Sequence, residues 1–141
     1  MDIGIVVYPG TWSEKDCFYS LSNVNKQFCE FIWHKDEDMN LENFDAIILP
    51  GGFSYGDFLR SGSIASLSPI MEKIKIYADK GNPVIGICNG FQILCESNLL
   101  PGTLTRNNNL QFRCEWSNIK VANNETIFTS SIKKNKILSI P

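Results

Sequence analysis

The sequence has a single histidine, no Cys-x-x-Cys pair and no surplus of basic residues, and each absence narrows the possible functions. One histidine, His34, and five scattered cysteines argue against a metal site and against a disulfide framework. Fifteen acidic and thirteen basic residues give a formal net charge of −2. Because this balance provides no excess of cations for a phosphate backbone, no nucleic-acid partner is predicted.

Long hydrophobic runs are also missing. The longest apolar stretches, such as Ile3 to Tyr8, are far shorter than the roughly 20 residues of a membrane-spanning helix, so no membrane association is predicted. The first residues carry no basic leader, and we therefore expect no signal peptide and a cytoplasmic location with reduced thiols. The chain has 141 residues, 43% hydrophobic and 20% charged, which predicts one folded domain, residues 1–141.

Apolar runs alternate with segments of helical periodicity. Four runs are predicted to be strands: residues 3–8, 27–33, 45–49 and 83–88. Three segments are predicted to be helices: residues 13–25, with Ser13 as N-cap, 67–77 and 90–97. This alternation predicts an α/β fold, an open and mostly parallel sheet with helices on both faces. Residues 110–121 and 127–140 are predicted to be shorter strands that extend the sheet in antiparallel fashion.

Cys88 lies between a predicted buried strand and a predicted helix, with Gly86 and Gly90 two residues to either side. This spacing is typical of a nucleophile elbow, with cysteine in the place of serine. The glycines are expected because the tight turn brings backbones close together. The helix N-terminus favours the thiolate, which is the attacking species. The alternative is a cysteine buried at a strand end, as most single cysteines are.

Gly51 and Gly52 follow another predicted strand, before a predicted ordered loop over residues 53–63. Two glycines at a strand end can turn backbone N–H groups toward the neighbouring elbow, as an oxyanion hole requires. The N–H of Asn89, directly after the cysteine, would be the other donor. The alternative interpretation is an ordinary turn.

A proton acceptor for this chemistry is harder to find. His34 is the one candidate, and we interpret it as a histidine at a strand end near solvent, without a catalytic role. Four further cysteines are interpreted as packing residues: Cys17, Cys29, Cys95 and Cys114.

Two blocks carry a resemblance to a known family. Residues 50–60 are Pro-Gly-Gly-Phe-Ser-Tyr-Gly-Asp-Phe-Leu-Arg, and residues 86–94 are Gly-Ile-Cys-Asn-Gly-Phe-Gln-Ile-Leu. The second block is similar to the class I glutamine amidotransferases, which have a flavodoxin-like fold. The first resembles, more specifically, the glutaminase subunits of phosphoribosylformylglycinamidine synthase, the PurQ family of purine biosynthesis. The resemblance extends over essentially the whole chain.

The resemblance implies that the chain hydrolyses glutamine. In such enzymes the cysteine matched by Cys88 attacks the side-chain amide, releases ammonia and forms a thioester. The oxyanion would be held by backbone donors at Gly52 or Phe53 and at Asn89, and Gln92 would line the glutamine pocket. Ammonia would pass to a large synthetase subunit that uses ATP and magnesium, with a small bridging subunit; the chain itself is expected to bind no cofactor.

Two alternatives remain open at this point. The family supplies its catalytic histidine and carboxylate from a segment beyond the position of Pro141, so we expect an incomplete C-terminus and a non-catalytic remnant as the first alternative. The second is a cysteine-elbow protein related to stress-response peptidases and deglycases. Those proteins need a glutamate near the cysteine, and Glu14 is the available candidate.

Overall fold

A parallel sheet of four strands organises the first part of the chain in the computed structural model, which describes residues 1–141. The strands are β1 (Asp2–Val7), β2 (Phe28–Trp33), β3 (Ala46–Leu49) and β4 (Val84–Gly86), in the order β2-β1-β3-β4. Every neighbouring pair is parallel, with Ile5 opposite both Phe31 and Ile48. All four strands therefore end at the same edge of the sheet, where parallel sheets bind ligands.

Two helices lie between these strands along the chain, and a third follows β4. They are α1 (Glu14–Phe18), continued by a π-helical turn over Tyr19–Val24, α2 (Pro69–Asp79) and α3 (Asn89–Glu96). Three 3-10 turns lie in the connections: Leu41–Asn43, Ser54–Asp57 and Ala65–Leu67. No helix combines the length and the apolar character needed to cross a bilayer.

The helices cover both faces of the sheet, as predicted. On one face, α2 and α3 pack against the sheet in a cluster that includes Val6, Ile47, Ile74 and Ile93. On the other face, Ile3, Ile5, Cys29 and Ile48 pack against α1 and the turn after it. Successive strand residues point to opposite faces, and both faces are apolar because both are covered. The predicted α/β fold class is confirmed.

Two expectations about element ends are wrong. Leu67 was expected on the apolar face of α2, but that helix begins at Pro69, which suits a first helical position, and Leu67 is 83% exposed. Strand β4 ends at Gly86, because the chain turns at Ile87 and Cys88 into α3.

The chain divides into two compact units, Met1–Leu104 and Thr105–Pro141. The second contains β5 (Ser117–Lys120) and β6 (Ile137–Ile140), which pair antiparallel with Ser117 opposite Ile140. The predicted antiparallel strands are therefore present in this region. They do not extend the parallel sheet as expected, because they pair with each other in a separate two-stranded sheet. A single domain over residues 1–141 stays a prediction.

Candidate active site

Cys88 occupies a sharp turn between β4 and α3. Its backbone is at φ 51° and ψ −107°, a conformation that costs energy for any residue with a side chain, and its side chain is exposed. The turn is fixed on both sides: the N–H of Ile87 donates to the carbonyl of Leu49 at 3.0 Å, and the N–H of Gly90 donates to that of Ile87 at 2.8 Å. The predicted strand–turn–helix arrangement is present, with the thiol facing solvent.

Gly86 and Gly90 allow this turn because they lie where side chains have no room. A Cβ atom on Gly90 would lie 1.9 Å from the carbonyl oxygen of Leu49, and one on Gly86 would lie 2.6 Å from backbone atoms of Gly90. Both distances are far inside van der Waals contact. Gly86 and Gly90 are therefore required by the close approach of backbone segments at this turn, as the sequence indicated.

Gly51 places the end of β3 directly beside the turn that carries Cys88. A Cβ atom on Gly51 would lie 3.4 Å from the Cβ of Cys88 and 3.6 Å from the carbonyl oxygen of Ile87. The N–H of Gly51, however, donates to Ser13 Oγ at 2.9 Å. The hydroxyl of Ser13 in turn donates to the carbonyl of Gly51 at 3.3 Å, so Ser13 holds this loop and does not cap α1 as expected.

The backbone N–H groups near Cys88 differ in whether they already donate a hydrogen bond within the chain. The N–H of Phe53 donates to the carbonyl of Gly10 at 2.9 Å. Those of Gly52 and Asn89 donate to no acceptor within the chain. Gly52 has φ 148°, and a Cβ there would lie 2.6 Å from the nitrogen of Trp12. Of the candidate oxyanion donors, Gly52 and Asn89 are thus the two with free N–H groups, whereas those of Gly51 and Phe53 are occupied.

The side chain of Asn89 ties the turn to the loop after β3. It is buried, its Oδ1 accepts from the N–H of Ser54 at 3.1 Å, and its Nδ2 donates to Gln92 Oε1 at 3.0 Å. A longer contact of 3.5 Å joins Nδ2 to Asp57 Oδ1. Gln92 therefore lies beside the turn that carries Cys88, one turn along α3. Sequence reasoning assigned no role to Asp57, since its contact with Asn89 joins residues far apart in the chain.

His34 lies in the interior, so its interpretation as a histidine near solvent is wrong. It is 1% exposed, and its Nδ1 lies 3.0 Å from Ser68 Oγ. The hydroxyl of Tyr55 lies 3.3 Å from Nδ1 and 3.4 Å from Nε2. Burial, and then the charge of Lys35, lower the pKa of His34 and favour the neutral ring. None of the hydrogen-bond partners of His34 is Cys88.

The remaining candidates lie apart from the turn. Glu14 has one buried carboxylate oxygen without a partner, and it lines a cavity of about 310 Å³ with Val7, Phe31 and Trp33, not with Cys88. Cys29 and Cys95 are buried and Cys17 is partly buried, as predicted for packing residues, and burial raises the pKa of the Cys17 and Cys29 thiols. Cys114 is exposed, contrary to expectation.

Known proteins resemble the chain in sequence and in fold. The chain is 50% identical over its full 141 residues to the phosphoribosylformylglycinamidine synthase subunits PurQ of Koribacter versatilis and Alkaliphilus metalliredigens. It spans 60% and 62% of the length of these two relatives.

Two solved structures are similar to the chain. The structure of PurLQS from Thermotoga maritima superposes with a TM-score of 0.85 at 39% identity, covering 99% of this chain and 64% of that one. A glutamine amidotransferase from the same organism superposes with a TM-score of 0.63 at 17% identity, covering 99% of this chain and 58% of that one, and shares the fold. Residues 1–141 match the CobB/CobQ-like glutamine amidotransferase domain family along their whole length, and the chain belongs to that family.

Proposed function

We propose that the chain carries the nucleophile and oxyanion hole of a glutaminase that serves phosphoribosylformylglycinamidine synthesis. The thiolate of Cys88 attacks the side-chain carboxamide carbon of glutamine, and the C–N bond breaks as the nitrogen takes up a proton and leaves as ammonia. Water then cleaves the resulting thioester, which returns the thiol and releases glutamate.

One observation carries this proposal: Cys88 is exposed at a strained turn beside the end of β3, and the N–H groups of Asn89, the next residue, and of Gly52, in the loop after β3, have no acceptor in the chain. Fixed donors beside a nucleophile stabilise the negative charge that develops on a carbonyl oxygen. Gly51, which has no side chain, leaves space next to Cys88 for the carboxamide. Phe53 shapes the loop that presents Gly52, and Gln92 lines the glutamine pocket.

The ammonia would pass to a partner. Relatives of the chain are PurQ subunits, and a similar chain occurs in a structure named PurLQS. We infer that the partners are a large synthetase subunit, which uses ATP and magnesium, and a small bridging subunit, and that the enzyme acts in the cytoplasm. The chain itself is proposed to bind glutamine and no cofactor.

The proposal is tested by comparing Cys88→Ala with Cys114→Ala in the synthetase complex. Both cysteines are exposed, so the second variant controls for loss of an accessible thiol. We expect Cys88→Ala to abolish formation of glutamate from glutamine and to leave synthesis from added ammonium intact, while Cys114→Ala keeps both activities. Glutamine-dependent activity in Cys88→Ala would overturn the assignment.

The second candidate is that residues 1–141 alone do not hydrolyse glutamine. It is favoured by the position of His34, the only histidine, which contacts Ser68 and Tyr55 inside the core and is not placed as a base for Cys88. Loss of a base lowers turnover by several orders of magnitude in comparable triads. Ammonia release from glutamine by the 141-residue chain alone, abolished by Cys88→Ala, would exclude this candidate.

A further inference from the structure

The loop after β3 holds an unusual number of side-chain-bearing residues in the left-handed region. Tyr55, Asp57 and Leu59 have φ values of 53°, 56° and 68°, with Gly56 between them at 65°. Each non-glycine residue in this region is unfavourable on its own and persists only where surrounding contacts enforce it. The contacts that hold this loop therefore determine its shape.

One of those contacts lies in the interior, at the end of β2. The hydroxyl of Tyr55 meets both ring nitrogens of His34, at 3.3 and 3.4 Å. His34 is itself fixed, because its N–H donates to the carbonyl of Val7 at 3.0 Å and its carbonyl accepts from the N–H of Ile70 at 3.2 Å. Ser68 Oγ lies 3.0 Å from Nδ1, and the rings of Tyr8 and Trp33 pack against the imidazole. The Tyr55 hydroxyl thus meets a rigid partner.

A second contact lies at the turn that carries Cys88. The residue before Tyr55, Ser54, donates its N–H to the buried Oδ1 of Asn89 at 3.1 Å. Asn89 follows Cys88 directly, and its own N–H is one of the two free donors there. A shift of the loop would withdraw the donor of this bond, the Ser54 N–H, and release the Asn89 side chain. The chain of contacts His34, Tyr55, Ser54, Asn89 joins the core to the turn.

From this geometry we propose that His34 and Tyr55 are positioning residues for the nucleophile turn. They hold the strained loop so that Asn89 stays fixed and its N–H remains beside Cys88. The proposal deepens the proposed function and rests on it for its catalytic consequence. Neither residue contacts the reacting atoms.

The test measures amide hydrogen exchange by NMR in the 141-residue chain. The reporters are the N–H groups of Ser54, Gly90 and Gln92, whose bonds define the loop contact and the turn. Tyr55→Phe keeps the ring and removes the hydroxyl, and Tyr77→Phe is the matched control. Tyr77→Phe also removes a buried hydroxyl. That hydroxyl donates to the carbonyl of Phe44 at 2.9 Å, outside the loop.

We expect Tyr55→Phe to accelerate exchange at all three reporters by about tenfold or more, as local opening becomes easier. Tyr77→Phe should change the exchange rates of the three reporters only as much as it changes that of the Ile47 N–H. This N–H donates to the carbonyl of Pro83 in the sheet. His34→Ala should behave like Tyr55→Phe, whereas His34→Asn, which keeps a polar atom near Nδ1, should restore slow exchange. Unchanged Gly90 and Gln92 exchange in Tyr55→Phe, or equal effects in Tyr77→Phe, would overturn the proposal.

The catalytic consequence is measured in the synthetase complex. We expect Tyr55→Phe to lower kcat for glutamine hydrolysis by about tenfold with KM little changed, because small misplacements of catalytic groups mainly affect the transition state. An unchanged kcat would refute the positioning role even if exchange is faster. The exchange measurement does not depend on turnover. Failure of the proposed function would instead appear as glutamine-dependent activity retained in Cys88→Ala.

Discussion

The buried Oδ1 of Asn89 accepts a hydrogen bond from the backbone N–H of Ser54 at 3.1 Å, which joins the start of α3 to the loop after β3. The amide nitrogen of the same side chain faces Gln92 Oε1 and Asp57 Oδ1. Asn89 therefore needs one accepting and one donating atom at its tip. An amide provides both, and a carboxylate provides only acceptors.

Asn89→Asp should consequently destabilise the fold, by about 2 kcal/mol at neutral pH, because the new carboxylate would face the carboxylate of Asp57. Gln92 can rotate its amide to donate, but Asp57 cannot. We expect the double variant Asn89→Asp, Asp57→Asn to recover most of the loss. Urea unfolding of the two single variants and the double variant measures this coupling, and simple additivity would contradict it.

Gly90→Ala should disrupt the turn that carries Cys88. The added methyl would overlap the carbonyl oxygen of Leu49, a backbone atom that cannot move without displacing β3, and we expect a loss of about 3 kcal/mol or more in the free energy of unfolding. Gly81→Ala is the control, because Gly81 has φ 86° and open space around it, so that only backbone strain of roughly 1–2 kcal/mol is expected. Equal effects of the two substitutions would show that the close approach is unimportant.

The ion pair between Arg60 and Glu96 should contribute stability that depends on pH. Arg60 Nε and its terminal nitrogen donate to the two Glu96 oxygens at 3.1 and 2.7 Å. The hydrogen bond from Arg60 lowers the pKa of Glu96 below its ordinary value. The stabilisation is therefore present at pH values above the ordinary pKa of a glutamate, about 4.3, and is lost as the pH falls through the lower folded-state pKa.

Unfolding curves of the wild type and of Glu96→Gln check this. The difference in free energy of unfolding between them should be constant from neutral pH to about pH 5 and should shrink in more acidic solution. Glu72→Gln, which breaks an exposed pair with Lys75 at 3.4 Å, should give a much smaller difference at neutral pH. A Glu96→Gln difference that persists unchanged in acid would contradict the expectation.

His34 should make the fold less stable in mildly acidic solution. Its pKa is lowered in the folded state, so the unfolded chain binds a proton more readily, and stability decreases as the pH falls below the ordinary histidine value of about 6.5. The neutral ring is the form that the interior accepts. Unfolding free energies of the wild type and His34→Asn at pH 8 and pH 5.5 test this: the wild type should lose more stability between the two values than the variant.

The parallel sheet and the sharp turn at Cys88 were predictable from the sequence because both are encoded locally. Apolar β-branched runs and the spacing of Gly86 and Gly90 around Cys88 report contacts between neighbouring segments. The role of Ser13 was not predictable in this way, since its hydroxyl bonds to Gly51, which is 38 residues away. Local pattern favoured a helix cap, and a tertiary partner competed successfully for the same hydroxyl.

The burial of His34 was missed for a related reason. A polar residue after a strand is usually exposed, and only the folded chain brings Ser68 and the hydroxyl of Tyr55 to its ring. The free N–H groups at Gly52 and Asn89 could not be predicted either, because the sequence does not show which of several adjacent amides already has an acceptor. The sequence pattern thus predicted where the site lies. Long-range contacts determine which of its N–H groups and side-chain atoms are free to bind a ligand.

The backbone at position 88, with φ 51° and ψ −107°, is one that glycine adopts far more readily than cysteine. Cysteine at this position therefore lowers the thermostability of the chain, and Cys88→Gly should raise it. In a library selected for thermostability alone, glycine should accumulate at codon 88, and its enrichment would record the trade-off between durability and reactivity in this scaffold.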